Sequence, residues 1–268
     1  MGANYRFLET ELHFEGRLGL AYLNRPERFN SLNAEVLTEL RDWVEACGRD
    51  EKIRCLAISG RGKAFCSGQD LKEVLALGAM EEDRSVECFV KTYYNPLVLE
   101  ITECAKPVIA LVNGAAVGAG AMLSLICDFS LAAKTAYFSQ AFVNIGLIPD
   151  TAGTYYLPKL VGRQRASYLA FTGKRVSAEE AVAMGLVAEV FPDETFMEEA
   201  LEVLESLCDQ PTRAIALTKR AFASSYRLTL EEQLDLEGVL QQEAAETQDF
   251  KEGVSAFLEK RKPKYKGL

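Results

Sequence analysis

The stretch from Lys106 to Thr154 constrains this chain more than any other. It opens on a β-branched run, Pro107-Val108-Ile109-Ala110-Leu111-Val112, that stops at Asn113-Gly114. Apolar residues without polar alternation, bounded by a turn signal, read as a buried strand. A small-residue segment follows, Ala115-Ala116-Val117-Gly118-Ala119-Gly120-Ala121, and leads into an apolar helix ending near Cys127-Asp128. The stretch closes on Gly146-Leu147-Ile148-Pro149-Asp150-Thr151-Ala152-Gly153-Thr154, where one carboxylate sits in a turn among apolar and small residues. A buried strand, a glycine turn, a helix start and an isolated acid predict a site that stabilises negative charge. Orphan N–H groups and the helix dipole both favour an anion there.

Composition removes several alternatives. A chain of 268 residues with net charge −9 can bury a full core and lacks the basic face of a nucleic-acid binder. No apolar run reaches the roughly 18 residues of a membrane span, and the N-terminus shows no signal-peptide pattern, so a cytoplasmic protein is expected. The seven cysteines are odd in number and form no Cys-x-x-Cys, which reads as reduced core thiols. His13 is the sole histidine and lies in an alternating strand pattern. A histidine triad or a multi-histidine metal site is therefore not expected, and acid–base chemistry falls to carboxylates, Lys, Tyr, Cys or backbone amides.

The rest of the chain reads as α/β. Strands are expected at 5–14, 18–23, 53–59, 107–112, 129–132 and 136–140, with helices at 34–47, 83–104 and after Gly118. Asn33 is placed to cap the helix carrying Val36, Leu37, Leu40, Trp43, Val44 and Cys47. Strands and helices alternate as far as residue 192, which marks an α/β core over 1–192. Helical patterns then fill 194–208, 211–226, 229–246 and 249–260, so residues 193–268 read as a helical subdomain. Its last nine residues hold five cations and no acid, a tail suited to an anionic ligand.

A second glycine turn, Cys66-Ser67-Gly68-Gln69-Asp70-Leu71, also enters a helix. Gly68 would let the Gln69 N–H face a ligand, and the Ala119 N–H sits at a helix start between Gly118 and Gly120. Two such amides meeting at one point would form an oxyanion hole; the plain alternative is two ordinary turns, one capped by Asp70. Gly114 to Gly120 and Tyr155–Lys159 also fit loose dehydrogenase patterns. They stand too close together, and Pro158 interrupts the helix that such a Tyr/Lys pair needs.

Asn24-Arg25-Pro26-Glu27, Phe65 to Leu71, Lys106 to Gly114, Gly118-Ala119-Gly120, Cys127-Asp128, Gly146 to Pro149, Thr172-Gly173, Ser177 to Ala181 and Gly185-Leu186-Val187 follow one another in a recognisable order and spacing. In this the chain resembles the enoyl-CoA hydratase/isomerase (crotonase) family along nearly its whole length. The resemblance implies a superhelix of repeated ββα units with a C-terminal helical oligomerisation subdomain, forming a homotrimer or a dimer of trimers. It implies an acyl-CoA substrate whose thioester oxygen is held by the Gln69 and Ala119 amides, with no cofactor beyond the coenzyme A of the substrate.

Within the family, hydratases carry two glutamates, and their positions fall here on Met122 and Phe142. That leaves Asp150 as the acid–base of a proton-shifting isomerase, its pKa raised by apolar neighbours. The alternative is that Asp150 only caps a helix beginning near Thr151. Tyr94 to Val98, Leu234 to Glu237 and Glu252 to Arg261 extend the likeness toward members that isomerise an aromatic ring epoxide, and apolar Met122 and Phe142 suit such an acyl group. An aliphatic enoyl-CoA isomerase, a hydratase and a non-catalytic acyl-CoA or protein binder remain alternatives. For coenzyme A, Arg25, Arg28 and Lys63 are phosphate candidates. Ala64, Cys66, Ser67, Gly68, Asp70 and Leu71 flank the adenine and pantetheine path, and Phe257 and Lys260 match positions that reach a neighbouring subunit's ligand.

Overall fold

The computed structural model describes residues 5–72 and 85–267. The chain begins with β1 (Leu8–His13) and β2 (Leu18–Leu23), an antiparallel pair in register from Leu8↔Leu23 to His13↔Leu18. Helix α1 (Ala34–Arg49) follows, and its first turn is closed by Asn33, whose Oδ1 accepts from the Val36 N–H at 2.9 Å. That satisfies one of the orphan donors of a helix start. All six apolar positions expected to face inward are buried.

Strands β3 (Cys55–Gly60), β5 (Val108–Val112), β7 (Phe129–Ala133) and β10 (Glu189–Phe191) join β2 as parallel neighbours, giving the order β1-β2-β3-β5-β7-β10. A second sheet is built from three-residue strands in the order β4-β6-β8-β9: β4 (Ala64–Cys66), β6 (Ala115–Val117), β8 (Tyr137–Ser139) and β9 (Arg175–Ser177). The pairs β3/β4, β5/β6 and β7/β8 each send one strand to either sheet, which is the repeated unit of the superhelix. Of the short strands only β8 was foreseen. Three residues carry no readable period, and partners distant in sequence create the pairing.

Period-two alternation explains why the long strands are apolar throughout. Leu56, Ile58, Val108, Ala110 and Val112 enter a core shared with α1, with α3 (Ala119–Ile126) and with a helix in three pieces. Those pieces are Val86–Phe89, the π turn Val90–Tyr94 and Asn95–Glu103, together α2. The alternate residues Cys55, Ala57, Ile109 and Leu111 meet α6 (Phe196–Cys208) through Phe196, Ala200 and Leu204. A sheet covered on both faces has no polar side. The division expected at residue 192 therefore falls before a helix that is part of the core.

Between these lie α4 (Gly153–Thr172) and α5 (Ala178–Met184). Helix α4 runs through Pro158 and breaks instead at Gly162, where φ is 77°. Helices α7 (Thr212–Ser225), α8 (Leu230–Ala245) and α9 (Gln248–Glu259) complete the chain. Lys219 on α7 donates to Asp128 Oδ2 at 2.7 Å and to the Lys106 carbonyl at 2.9 Å, fastening the helices to the core. The basic tail is held through its backbone: Asp249 accepts from the Lys266 and Gly267 N–H groups, each at 2.7 Å. No helix among the described residues is long and apolar enough to cross a membrane.

Candidate active site

Strands β4 and β6 are parallel neighbours, so their carboxyl ends deliver the two glycine turns side by side. Crevices at such ends are the usual ligand sites of parallel sheets. Gly68 holds φ at 89°, and a Cβ there would lie 2.7 Å from the Val117 carbonyl oxygen and 3.3 Å from the Ala119 nitrogen. Gly120 is equally confined, because a Cβ would overlap the Cys66 carbonyl oxygen. Only glycine lets these two turns touch.

The direction of each amide is fixed locally. Leu32 bridges Gln69 in parallel fashion: the Leu32 N–H donates to Gly68 O, and the Asp70 N–H donates to Leu32 O, both at 2.8 Å. With both neighbours bonded to Leu32, the N–H of Gln69 itself points the other way. Ala119 is the first residue of α3, behind a Gly118 N-cap that offers no side-chain acceptor. Its N–H is one of the unsatisfied donors of a helix start, at the positive end of the dipole. Gln69 and Ala119 line one cavity of about 560 Å³.

Asp150 lines the same cavity. Its carboxylate is half-buried, and Oδ1 accepts from the Thr151 hydroxyl at 2.9 Å. Burial pushes its pKa up from the ordinary aspartate value, opposed by the Thr151 hydrogen bond. It does not cap the next helix: α4 starts at Gly153, its N-cap is Ala152, and no side chain closes it. Thr151 and Ala152 both lie in the left-handed region, at φ 49° and 58°. A buried β-branched residue there is uncommon, and strain of about 1–3 kcal/mol per residue gathers where a fold must aim a functional group. Nothing in the local sequence announced it.

The remaining walls are mostly apolar, formed by Leu71, Val86, Phe89, Val90, Ile145 and Leu147, with Ser67, Asn144 and Tyr94 as further lining. In the sequence Tyr94 enters only as part of a segment of family likeness, without a site role, and Asn144 not at all. Phe142 is buried and faces the cavity, 4.0 Å from the Cβ position of Gly118.

A family model described as enoyl-CoA hydratase/isomerase matches residues 14–268. The chain belongs to the enoyl-CoA hydratase/isomerase family. It is 45% identical to the 1,2-epoxyphenylacetyl-CoA isomerase of Escherichia coli K12, over 95% of this chain and 97% of that one. It is 43% identical to a probable enoyl-CoA hydratase of Rhodobacter capsulatus, over 96% and 98%. Among solved structures, an enoyl-CoA hydratase of Bacillus anthracis superposes with a TM-score of 0.91 at 34% identity, covering 98% and 100%.

Several candidate residues of this family member fall outside the cavity. Met122, at 1% exposure, packs against Gly153 beneath the acid turn and does not line the cavity, so its expected contact with an acyl group gives way to a core role. Gly120, Ala64 and Cys66 are buried in the scaffold that joins the turns, and burial drives the Cys66 thiol up to about 12. Arg25 is not a free cation: only 11% of its side chain is exposed, and it binds Asp70 Oδ2 at 3.0 Å and the Ser31 carbonyl at 2.7 Å. Arg28 and Lys63 remain exposed, while Ser67, which does line the cavity, reaches the Arg28 carbonyl through its hydroxyl at 3.4 Å. Phe257, 83% exposed, lines a separate concavity of about 420 Å³ with Asp249 and Tyr265, and Lys260 ends the same helix on the surface.

Proposed function

We propose that this chain is an acyl-CoA isomerase that moves a proton through Asp150 while the Gln69 and Ala119 N–H groups hold the thioester enolate. The observation that carries the reading is the meeting of one acid with two oriented amides in a largely apolar cavity. The carboxylate takes a proton from the acyl chain, the thioester oxygen gains the charge, and the two donors stabilise it where little water competes. The protonated Asp150, whose carboxyl proton can exchange with solvent, then delivers a proton to another carbon, so the product keeps the composition of the substrate. Its raised pKa suits both halves of that exchange.

The substrate we assign is 2-(1,2-epoxy-1,2-dihydrophenyl)acetyl-CoA, placing the enzyme in phenylacetate catabolism. The E. coli relative, named as an isomerase of such an epoxide, and the aromatic lining from Phe89, Phe142 and Tyr94 support this. We further assign a cytoplasmic homotrimer or dimer of trimers. In it Arg28 and Lys63 meet coenzyme A phosphates, the turn from Ser67 to Leu71 borders pantetheine, and Phe257 and Lys260 reach a neighbouring subunit's ligand. The exposed apolar face of Val254, Phe257 and Leu258 supports that packing. Hydration is the second reading, favoured by the name of the R. capsulatus relative. Phe142 and Met122, where hydratases carry their glutamates, weigh against it.

The test is to offer the ring epoxide, 3-enoyl-CoA and crotonyl-CoA to the enzyme. Isomerisation of the epoxide with negligible hydration of crotonyl-CoA is expected. Turnover of 3-enoyl-CoA alone would move the substrate to the aliphatic class, and fast hydration of crotonyl-CoA would overturn the isomerase reading.

A further inference from the structure

The helix that walls the cavity changes its winding at the π turn Val90–Tyr94, where the Asn95 N–H donates to the Val90 carbonyl. Around a regular α-helix, residues five apart point about 140° away from each other. The wider turn instead brings Phe89 and Tyr94 onto one face, with ring centroids 6.0 Å apart, and both line the cavity. Single π turns of this kind recur at functional sites. Here the turn delivers a ring at 2% exposure whose hydroxyl donates to Gln69 Oε1 at 2.5 Å.

The orientation of the Gln69 carboxamide follows from its other neighbour. Nε2 faces the Asp70 carbonyl at 3.5 Å, and a carbonyl can only accept. Oε1 therefore faces Tyr94. The same residue supplies a backbone N–H to the oxyanion hole, so its side chain brings a strong acceptor close to donors that must stay open for substrate. Left loose, that oxygen can take the N–H groups of the hole for itself or lie against the developing negative charge. Either outcome weakens stabilisation of the transition state more than binding of the ground-state thioester, whose oxygen carries less charge.

We propose that Tyr94 is a positioning residue of the oxyanion hole: by engaging Gln69 Oε1 it keeps the carboxamide acceptor away from the Gln69 and Ala119 N–H groups. The proposal rests on the isomerase reading for the nature of the charge being held. The π turn is the device that makes it possible, because an uninterrupted α-helix would carry Tyr94 off the cavity face.

The test uses acetoacetyl-CoA, a thioester that ionises to a stable enolate with its own absorption band, titrated into wild type, Tyr94→Phe, Gln69→Ala and the double variant. Gln69→Ala retains the backbone N–H and removes the carboxamide. Phenylalanine at 94 keeps the ring and its packing on Phe89, and the melting temperature verifies the fold. Tyr94→Phe is expected to bind the enolate about tenfold less tightly and to lose kcat by a similar factor at unchanged KM. In the Gln69→Ala background the same change is expected to have less than about a twofold effect, because the two residues act as one unit. Equal losses in both backgrounds, or an unaltered enolate band in Tyr94→Phe, would overturn the proposal. The preformed enolate needs no base, so an Asp150→Asn enzyme showing the full Tyr94 effect would separate this inference from the role given to Asp150. Failure of wild type to bind the enolate would overturn both.

Discussion

Asp70 and Asp150 stand beside the same pair of turns, and their neighbours give them opposite parts. Asp70 is met by the Arg25 guanidinium at 3.0 Å, while its other oxygen accepts from the Lys72 N–H at 3.3 Å. It ties the Gln69 turn to the loop after β2 and is thereby committed. Asp150 accepts from the Thr151 hydroxyl and from its own backbone N–H, and has no ion-pair partner among the described residues. A carboxylate facing an apolar cavity without a countercharge can gain and lose a proton at modest cost. Residue type and proximity to the site do not separate the two. The presence of a cation does.

The comparison can be broken most directly by removing each carboxylate in turn. Asp150→Asn should lower kcat by on the order of 10³-fold, the usual scale for a lost acid–base, with acyl-CoA binding retained. Steady-state kinetics beside calorimetric binding would show this. Asp70→Asn and Arg25→Ala should instead each cost about 2 kcal/mol of stability, the worth of charge-assisted hydrogen bonds, and change kcat far less. Urea denaturation reads that difference, and a catalytic loss from Asp70→Asn as deep as that from Asp150→Asn would erase the distinction.

The pH profile sharpens the contrast. Because burial raises the folded pKa of Asp150, the acid limb of kcat/KM should lie above the ordinary aspartate range. Thr151→Val removes the hydrogen bond that favours the ionised form and should move that limb to still higher pH. The linkage has a fixed sign: a folded pKa above the unfolded one gives stability that is full below the unfolded value and lost as pH rises through the folded one. Asp150→Asn should therefore melt higher than wild type at neutral pH. A lower melting temperature would show that the carboxylate supports the fold. The smallest effect concerns the left-handed turn. Ala152→Gly should relieve about 1 kcal/mol of strain, seen as a higher melting temperature, while loosening the aim of Asp150 and lowering kcat a few-fold.

Local chemistry explains what the sequence made legible. Asn33, the buried stripe of α1, the glycines of both turns and the lone acid after Pro149 all act through residues a few positions away, and each could be placed in advance. The family pattern then joined turns about fifty residues apart. What stayed hidden depends on contacts across the fold. Arg25 looked like a phosphate ligand until Asp70 closed on it, and Met122 looked like lining until Gly153 covered it. Tyr94 sat in an ordinary helical pattern, since a π turn leaves no mark on apolar spacing. The helix Phe196–Cys208 was read with the terminal helices because its apolar stripe does not say which surface it covers.

The most direct test of the central claim is proton transfer itself. Isomerisation of 3-enoyl-CoA in deuterium oxide, followed by nuclear magnetic resonance, reports both bond migration and deuterium uptake at the acyl carbons. Wild type should show both, and Asp150→Asn should show neither while still binding the thioester. Deuterium uptake by Asp150→Asn at the wild-type rate would contradict the account.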